Sequence, residues 1–474
     1  MDDPALDDAL ARIRNLVGAR GWIEDTAEME PHLVEWRNRW RGRARAVVRP
    51  GSTEEVAEVV RIAAEVGIPI VPQAGNTSLC GGSVPDEDGR AIVLSVSRLA
   101  RVREIDALDY TMTVEAGCVL ADVQRAAAAA DRLFPLSLAA EGTCEIGGNL
   151  STNAGGVHVL RYGNARQLVL GLEVVLPDGR VWDGLRRLRK DNTGYALREL
   201  FLGAEGTLGI ITAAVLKLFP RPRARWVALA AVRDVSAALE LLSRTRAATG
   251  DTVSSFELIP RIALDYVLRH IPGTTDPLRE RHERYVLVEL DSPVEGDGDL
   301  AARGESLFEK AVADGLVLDA AVAESDAQID ALWKLRESIS EAQKGEGASV
   351  KHDVAVPVSR VPEFLDEATR KVEAEWPGVR VVAFGHLGDG NIHFNLSVPE
   401  GGADEPFLDH WSAFSRIVHD VVTSMNGSIA AEHGIGRLKR DDLAHYKSAT
   451  EMDLMRALKR TLDPKGIMNP GRVV

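Results

Sequence analysis

The sequence predicts an α+β protein of at least two domains, and three observations carry that prediction. From Ala46 onward, short apolar and β-branched runs alternate with helical stretches, joined by glycine-rich connections. At Pro220-Arg221-Pro222-Arg223 the composition changes, as a linker would. Beyond it, strand-like runs follow one another through hairpins or split βαβ links, which suggests an antiparallel sheet covered by helices on one face. A chain of 474 residues is also too long for a single core. The expected divisions are a helical arm over 1–45, a glycine-rich domain over 46–222, an α+β domain over 223–425, and a segment over 426–474 that packs back on the glycine-rich domain.

Residues 1–46 read as helical, with EWRNRWRGRARA as a solvated arm or lid. AVVRP then opens a strand, EEVAEVVRIAAEVG has helical periodicity, and IPIVPQ leads into AGNTSLCGG. AIVLSV and TMTVEA are strands, and Val119 to Ala130 is a helix opened near Gly117. The stretch PLSLAAEGTCEIGGNLSTNAGG interleaves glycine with small polar residues, which leaves backbone amides available to a bound group. VLGLEVVLPDGRVWDG is a hairpin through Pro177-Asp178-Gly179, and GAEGTLG turns into the buried strand IITAAVLKLFP. In the second half WVALAAV, TVSSFEL, RYVLVEL, LVLDAAV and HDVAVPV are strands separated by amphipathic helices.

Composition excludes several classes of function. A formal charge of −15 argues against nucleic acid and requires locally placed cations for any anionic substrate. No stretch approaches the roughly 20 apolar residues of a membrane span, and the acidic start lacks a signal peptide's basic and apolar regions. Cys80, Cys118 and Cys144 form no C-x-x-C pair. They fit a reducing cytoplasm and exclude an iron-sulfur cluster held within this chain.

GHLGDGNIHFN, residues 385–395, sets two histidines around an Asp-Gly pair between strand-like flanks. Asp389-Gly390 signals a type I′ hairpin in which His386 faces His393, with Phe384 and Asn395 on the same side. Two imidazoles so placed can chelate an ion, with Glu432 in AAEHGIG as third ligand. Two histidines and a carboxylate leave positions open on a divalent metal such as zinc. Spacing alone also allows two half-buried histidines bonded to backbone.

Glycine clusters around Gly75, Gly142 to Gly156 and Gly203 to Gly209 fit neither G-x-G-x-x-G nor a Walker loop. A nucleotide cofactor would need several loops instead, as a large buried dinucleotide does. PQAGNTSLCGGSVP, EGTCEIGGNLSTNAGGVHVLRYG, RKDNTGYALRELFLGAEGTLGIIT, GHLGDGNIHFN, AAEHGIG and PKGIMNPGR together resemble the FAD-linked oxidases with the vanillyl-alcohol-oxidase type of flavin domain. Within them they are most similar to the D-2-hydroxyglutarate dehydrogenase branch. The resemblance runs from about Ala46 to the C-terminus. It makes the first domain a two-part FAD-binding domain and the second a substrate (cap) domain. It also places FAD against Pro72, Gly75, Asn76, Thr77 and Ser78, and against Gly142, Thr143, Gly147, Gly148, Asn149, Thr152 and Asn153. Gly206, Gly209 and Ile210 would meet the adenine side, and Asn469 would reach the isoalloxazine. With no histidine in the pyrophosphate loop, the FAD is expected to be non-covalent.

The chemistry the resemblance implies is oxidation of a D-2-hydroxy acid, with FAD as hydride acceptor. A metal on His386, His393 and Glu432 would bind the hydroxyl and its neighbouring carboxylate, and His433 would be the base. Arg336 and Ser340, four apart on one predicted helical face, would hold the far carboxylate with Lys351, and Asn395 would hydrogen-bond the substrate or the metal shell. The family usually carries Thr where Ser340 stands, which leaves malate-sized and glutarate-sized substrates both open. A D-lactate or other D-2-hydroxy-acid dehydrogenase is the neighbouring reading, and a non-catalytic flavin- and metal-binding subunit the distant one. Electrons would pass to a separate acceptor, an electron-transfer flavoprotein or a quinone system. The oligomeric state stays open, a homodimer being one option.

Overall fold

Why the chain makes two bodies follows from where its apolar runs find partners. The computed structural model describes residues 4–294, 296 and 298–474, so the first three residues of the expected arm lie outside the described residues. The first compact unit comprises 1–155, 163–221 and 432–474, and the second comprises 156–162 and 222–431.

In the first unit a four-stranded sheet runs in the order Trp22–Ile23, Val47–Val48, Ile92–Ser95, Ile70–Gln73, its last three strands parallel. Helices Pro4–Gly21 and Thr53–Val66 cover it. Ser52 caps the second by accepting from Glu55 N–H, and Gly67 ends it in a left-handed turn. The first helix of the expected helical arm is in part core. Ala9, Ile13 and Val17, one helical turn apart, are buried against Val56, Val60 and Ile62. Next comes an antiparallel five-stranded sheet, Val102–Asp106, Thr111–Glu115, Ile210–Lys217, Val169–Val175, Val181–Gly184. Its first strand, VREID, is mostly exposed and carries no apolar alternation, so pattern reading passed over it. The chain end returns to this unit: Ile70 N–H donates to Ile467 C=O, and Asn469 N–H to Ile70 C=O.

The second unit is an eight-stranded antiparallel sheet in the order Val317–Val322, Ala224–Val232, Arg284–Ser292, Val253–Pro260, Arg380–His386, Asn391–Ser397, Ser349–Val350, with Asp353–Ala355 also on Asn391–Ser397. Helices cover both faces, not one. Val227, Leu229 and Leu287 pack on helices Arg261–His270 and Asp326–Glu337. Trp226, on the opposite pleat, meets Phe308 of helix Gly298–Ala313 edge-on at 5.0 Å. WVALAAV and YVLV are continuous apolar runs because both faces are buried.

Two boundaries differ from expectation. Gly156–Tyr162 leaves the glycine-rich domain because Ser255 Oγ donates to Val157 C=O and Arg161 donates to Thr252 and Asp291 C=O. Residues 426–431 stay with the sheet because Ser428 and Ala355 exchange backbone hydrogen bonds.

Candidate functional site

The first unit holds a cavity with about 1340 Å³ of empty space, its mouth included. The strand Ile70–Gln73 feeds its floor, and the loops after it and before Ile210 form walls in which backbone comes close to backbone. A Cβ on Gly75 would stand 2.2 Å from Thr143 C=O, and one on Gly206, at φ +71°, 3.0 Å from the Pro72 ring. Only glycine permits such an approach. Pro72, Gly75, Asn76, Thr77, Ser78, Gly147, Gly148, Asn149, Thr152, Gly206, Gly209 and Ile210 all line this space, and Glu432 and His433 line it too.

Four residues placed at the cofactor are outside that lining. Gly142 and Thr143 are exposed beside it. Asn153 accepts from Arg166 N–H, and Asn469 donates to the carbonyls of Gly82 and Glu205, so both brace walls.

The lining suits a large polar ligand. Asn149 Oδ1 and Glu145 Oε2 are buried without a partner in the protein, and such groups call for one. Glu145 was not foreseen. Burial, opposed by Arg49, pushes its carboxyl up to about 7. Glu205 was missed as well. Its two oxygens each accept one N–H at 2.7 Å, from Ile435 and Gly436, which holds the turn just after Glu432 and His433. Burial nevertheless raises its pKa. The sequence hint was a carboxylate inside GAEGTLG, which reads there as a loop residue.

In the second unit the histidine hairpin is shifted in pairing and wider in turn than expected. Phe384, not His386, stands opposite His393, a slip of two residues from the expected register. In place of a two-residue turn, Asp389 and Gly390 both donate to His386 C=O. A Cβ on Gly390 would lie 2.1 Å from Val356 C=O, so the wider loop is packed in place. Because side chains alternate with period two, a slip of two keeps the face. His386 and His393 still meet, rings 5.5 Å apart and inclined at 76°. His393 Nδ1 is 3.7 Å from Asp353 Oδ1, and Asp353 also accepts from Asn391, which makes it a carboxylate beside the histidines that pattern reading did not single out.

Behind His386 lies a second unforeseen carboxylate. Glu257, 1% exposed, accepts from His386 Nδ1 at 2.8 Å and from Arg336 Nε at 2.8 Å and Nη2 at 2.7 Å. Burial alone would raise its pKa, but His386 and Arg336 outweigh burial and hold it at about 2. Asp389 has less compensation, and burial pushes it up to about 6. Arg336 lies over the Phe384 ring at 5.0 Å. Arg336 and Ser340, expected on one helical face, differ in burial. Helix Asp326–Glu337 ends at Ser338 before Ile339–Ala342 begins, leaving Arg336 buried and Ser340 exposed. Lys351 sits half-buried between two short strands, and buried Asn395 donates to Gln343.

Comparison with known proteins fits both units. Residues 44–184 match the family described as FAD binding domain, and 221–473 match FAD linked oxidases, C-terminal domain. A mitochondrial D-2-hydroxyglutarate dehydrogenase of Bos taurus is 38% identical over 99% of this chain and 84% of its own length. A D-2-hydroxyglutarate dehydrogenase of Xanthomonas citri pv. viticola is 37% identical over 98% and 97%. A putative D-lactate dehydrogenase of Schizosaccharomyces pombe is 35% identical over 95% and 85%. Among solved structures, p-cresol methylhydroxylase superposes with a TM-score of 0.76 at 16% identity over 100% of this chain and 97% of its own. An alkyldihydroxyacetonephosphate synthase gives 0.75 at 16% over 99% and 85%. Those two likenesses are of fold.

Proposed function

Since the chain belongs to the FAD-linked oxidases, in their D-2-hydroxyglutarate dehydrogenase branch, we propose that it oxidises a D-2-hydroxy acid, D-2-hydroxyglutarate foremost, to the 2-oxo acid. The observation that carries this reading is that His433 and Glu432 line the same cavity as the glycine walls that would cradle FAD. Bound FAD supplies the hydride acceptor. A divalent ion, zinc by the donor set, supplies positive charge at the hydroxyl and its carboxylate when held by His386, His393 and Glu432. Asp353, beside His393, is a further donor.

The chain's own groups do the rest. His433 accepts the hydroxyl proton at its ring nitrogen, a task suited to imidazole near neutral pH. Arg336 offers guanidinium N–H groups to the far carboxylate, with Ser340, Lys351 and Asn395 as further polar contacts. Cationic and neutral donors gathered locally offset a chain whose net charge repels anions. Electrons then leave for a separate carrier, an electron-transfer flavoprotein or a quinone system. No histidine stands in the loop Pro72–Ser78, which supports a dissociable FAD that acid precipitation should release into the supernatant.

Anaerobic addition of D-2-hydroxyglutarate should bleach the flavin absorbance, and prior chelation should abolish the bleaching. Bleaching that persists after complete metal removal sinks the metal's part. A D-lactate dehydrogenase is the second reading, supported by the Schizosaccharomyces pombe relative. It is preferred if D-lactate has the higher kcat/KM.

A further inference from the structure

Glu257 touches two groups to which the proposed function gives separate tasks. We infer that it is a positioning residue that ties the metal-facing imidazole of His386 to the carboxylate-binding guanidinium of Arg336, and so tunes the site to dicarboxylic hydroxy acids. The inference rests on the reading of His386 as a ligand and Arg336 as an anchor.

Three features of the second unit carry it. First, Glu257 and His386 are direct cross-strand partners in the central sheet, so the ladder, not a loop, sets their separation. Second, Glu257 pairs through Oε2 with Arg336, and a carboxylate so paired offers its neighbours only acceptors. The hydrogen bond to His386 Nδ1 therefore requires a proton on Nδ1, which leaves the lone pair on Nε2, the nitrogen a cation would use. Third, Glu257 Oε2 engages Nε and Nη2 of Arg336, one edge of the fork, while Phe384 supports the guanidinium plane. The Nη1 edge is what remains to meet a carboxylate.

One buried carboxylate thus fixes both ends of the recognition apparatus. A dicarboxylic substrate must span from the ion to Arg336, and that span cannot relax while Glu257 holds both. A monocarboxylic substrate uses only the ion's end. Disturbing Glu257 should therefore weaken metal binding for every substrate and penalise dicarboxylates further.

Glu257→Gln is the decisive variant. If its amide oxygen keeps Arg336, its NH2 faces His386 Nδ1 and favours the tautomer protonated on Nε2, which cannot ligate. Competition with a chromophoric chelator should show zinc affinity of the FAD-loaded variant reduced roughly 10–100-fold. Its kcat/KM for D-2-hydroxyglutarate should fall about tenfold further than that for D-lactate. Unchanged zinc affinity with equal losses on both acids would mean that Glu257 is merely structural, and would overturn the inference. If the single variant does not fold, Glu257→Gln with Arg336→Gln removes both buried charges together. Wild-type zinc affinity in that pair also overturns the inference. Wild-type protein labelled with 15N-histidine tests it without any substitution: the metal-free His386 ring must carry a proton on Nδ1, and a ring protonated only on Nε2 refutes the inference. A wild-type protein that oxidises neither acid, or does so after full chelation, would instead refute the proposed function.

Discussion

The two units organise their interiors by opposite means. The first builds its cavity from what is missing: side chains are absent at Gly75, Gly147, Gly148 and Gly206 so that backbone can approach backbone and a ligand. The second holds a network of charges taken out of water, with Glu257, Arg336 and His386 each under a tenth exposed. A glycine wall is sensitive to volume and tolerant of charge. A buried ion network is the reverse, since each member is costly without its partners. The difference suits the proposed tasks, because a large cofactor needs shape over a long surface while a small anion needs a few fixed charges.

The sharpest way to break this contrast is Arg336→Ala. It leaves Glu257 buried with His386 as its only remaining partner among these two, and should cost about 3–5 kcal/mol in thermal unfolding. A loss below about 1 kcal/mol would show that the network is not an ionic unit. Next in size is Gly75→Ala, where the new methyl meets Thr143 C=O at 2.2 Å. Backbone must move, and FAD affinity measured by flavin fluorescence should drop at least tenfold. Gly142→Ala, with no atom within 4 Å, should hold FAD as the wild type does. Equal behaviour of the two variants would remove the volume argument.

The smallest effect is in pH. Glu145 in the cavity wall is raised to about 7 from an ordinary 4.5, so its contribution to stability is fully present below 4.5 and is lost as pH rises to about 7. Glu257 is depressed to about 2, so its contribution is present above 4.5 and is lost as pH falls toward 2. Glu145→Gln should therefore melt a few degrees above wild type at pH 8 and level with it near pH 4.5. A constant offset across that range would assign the change to packing, not ionisation.

Much of this architecture was legible in advance where the signal is local. Ser52 and Gly67 bracket a helix by capping chemistry, Pro177-Asp178-Gly179 closes a hairpin, and the glycine clusters mark walls because few other residues allow such backbone approach. The histidine face was legible too, since a period of two survives a register slip of two. Glu257 and Glu205 were not legible, because a lone carboxylate in an apolar or glycine-rich run looks the same whether it meets solvent or a buried arginine.

The order of residues by itself thus determined the α+β alternation, the glycine-lined cavity and the placing of two imidazoles on one face of a hairpin. Each depends on dihedral preference and side-chain period, which act over a few residues. Only the tertiary structure decided that Gly156–Tyr162 joins the second unit, that helices cover both faces of its sheet, and that Glu257 lies between His386 and Arg336. Those depend on contacts between distant segments, whose free energy is set by burial and partner geometry that no local pattern encodes.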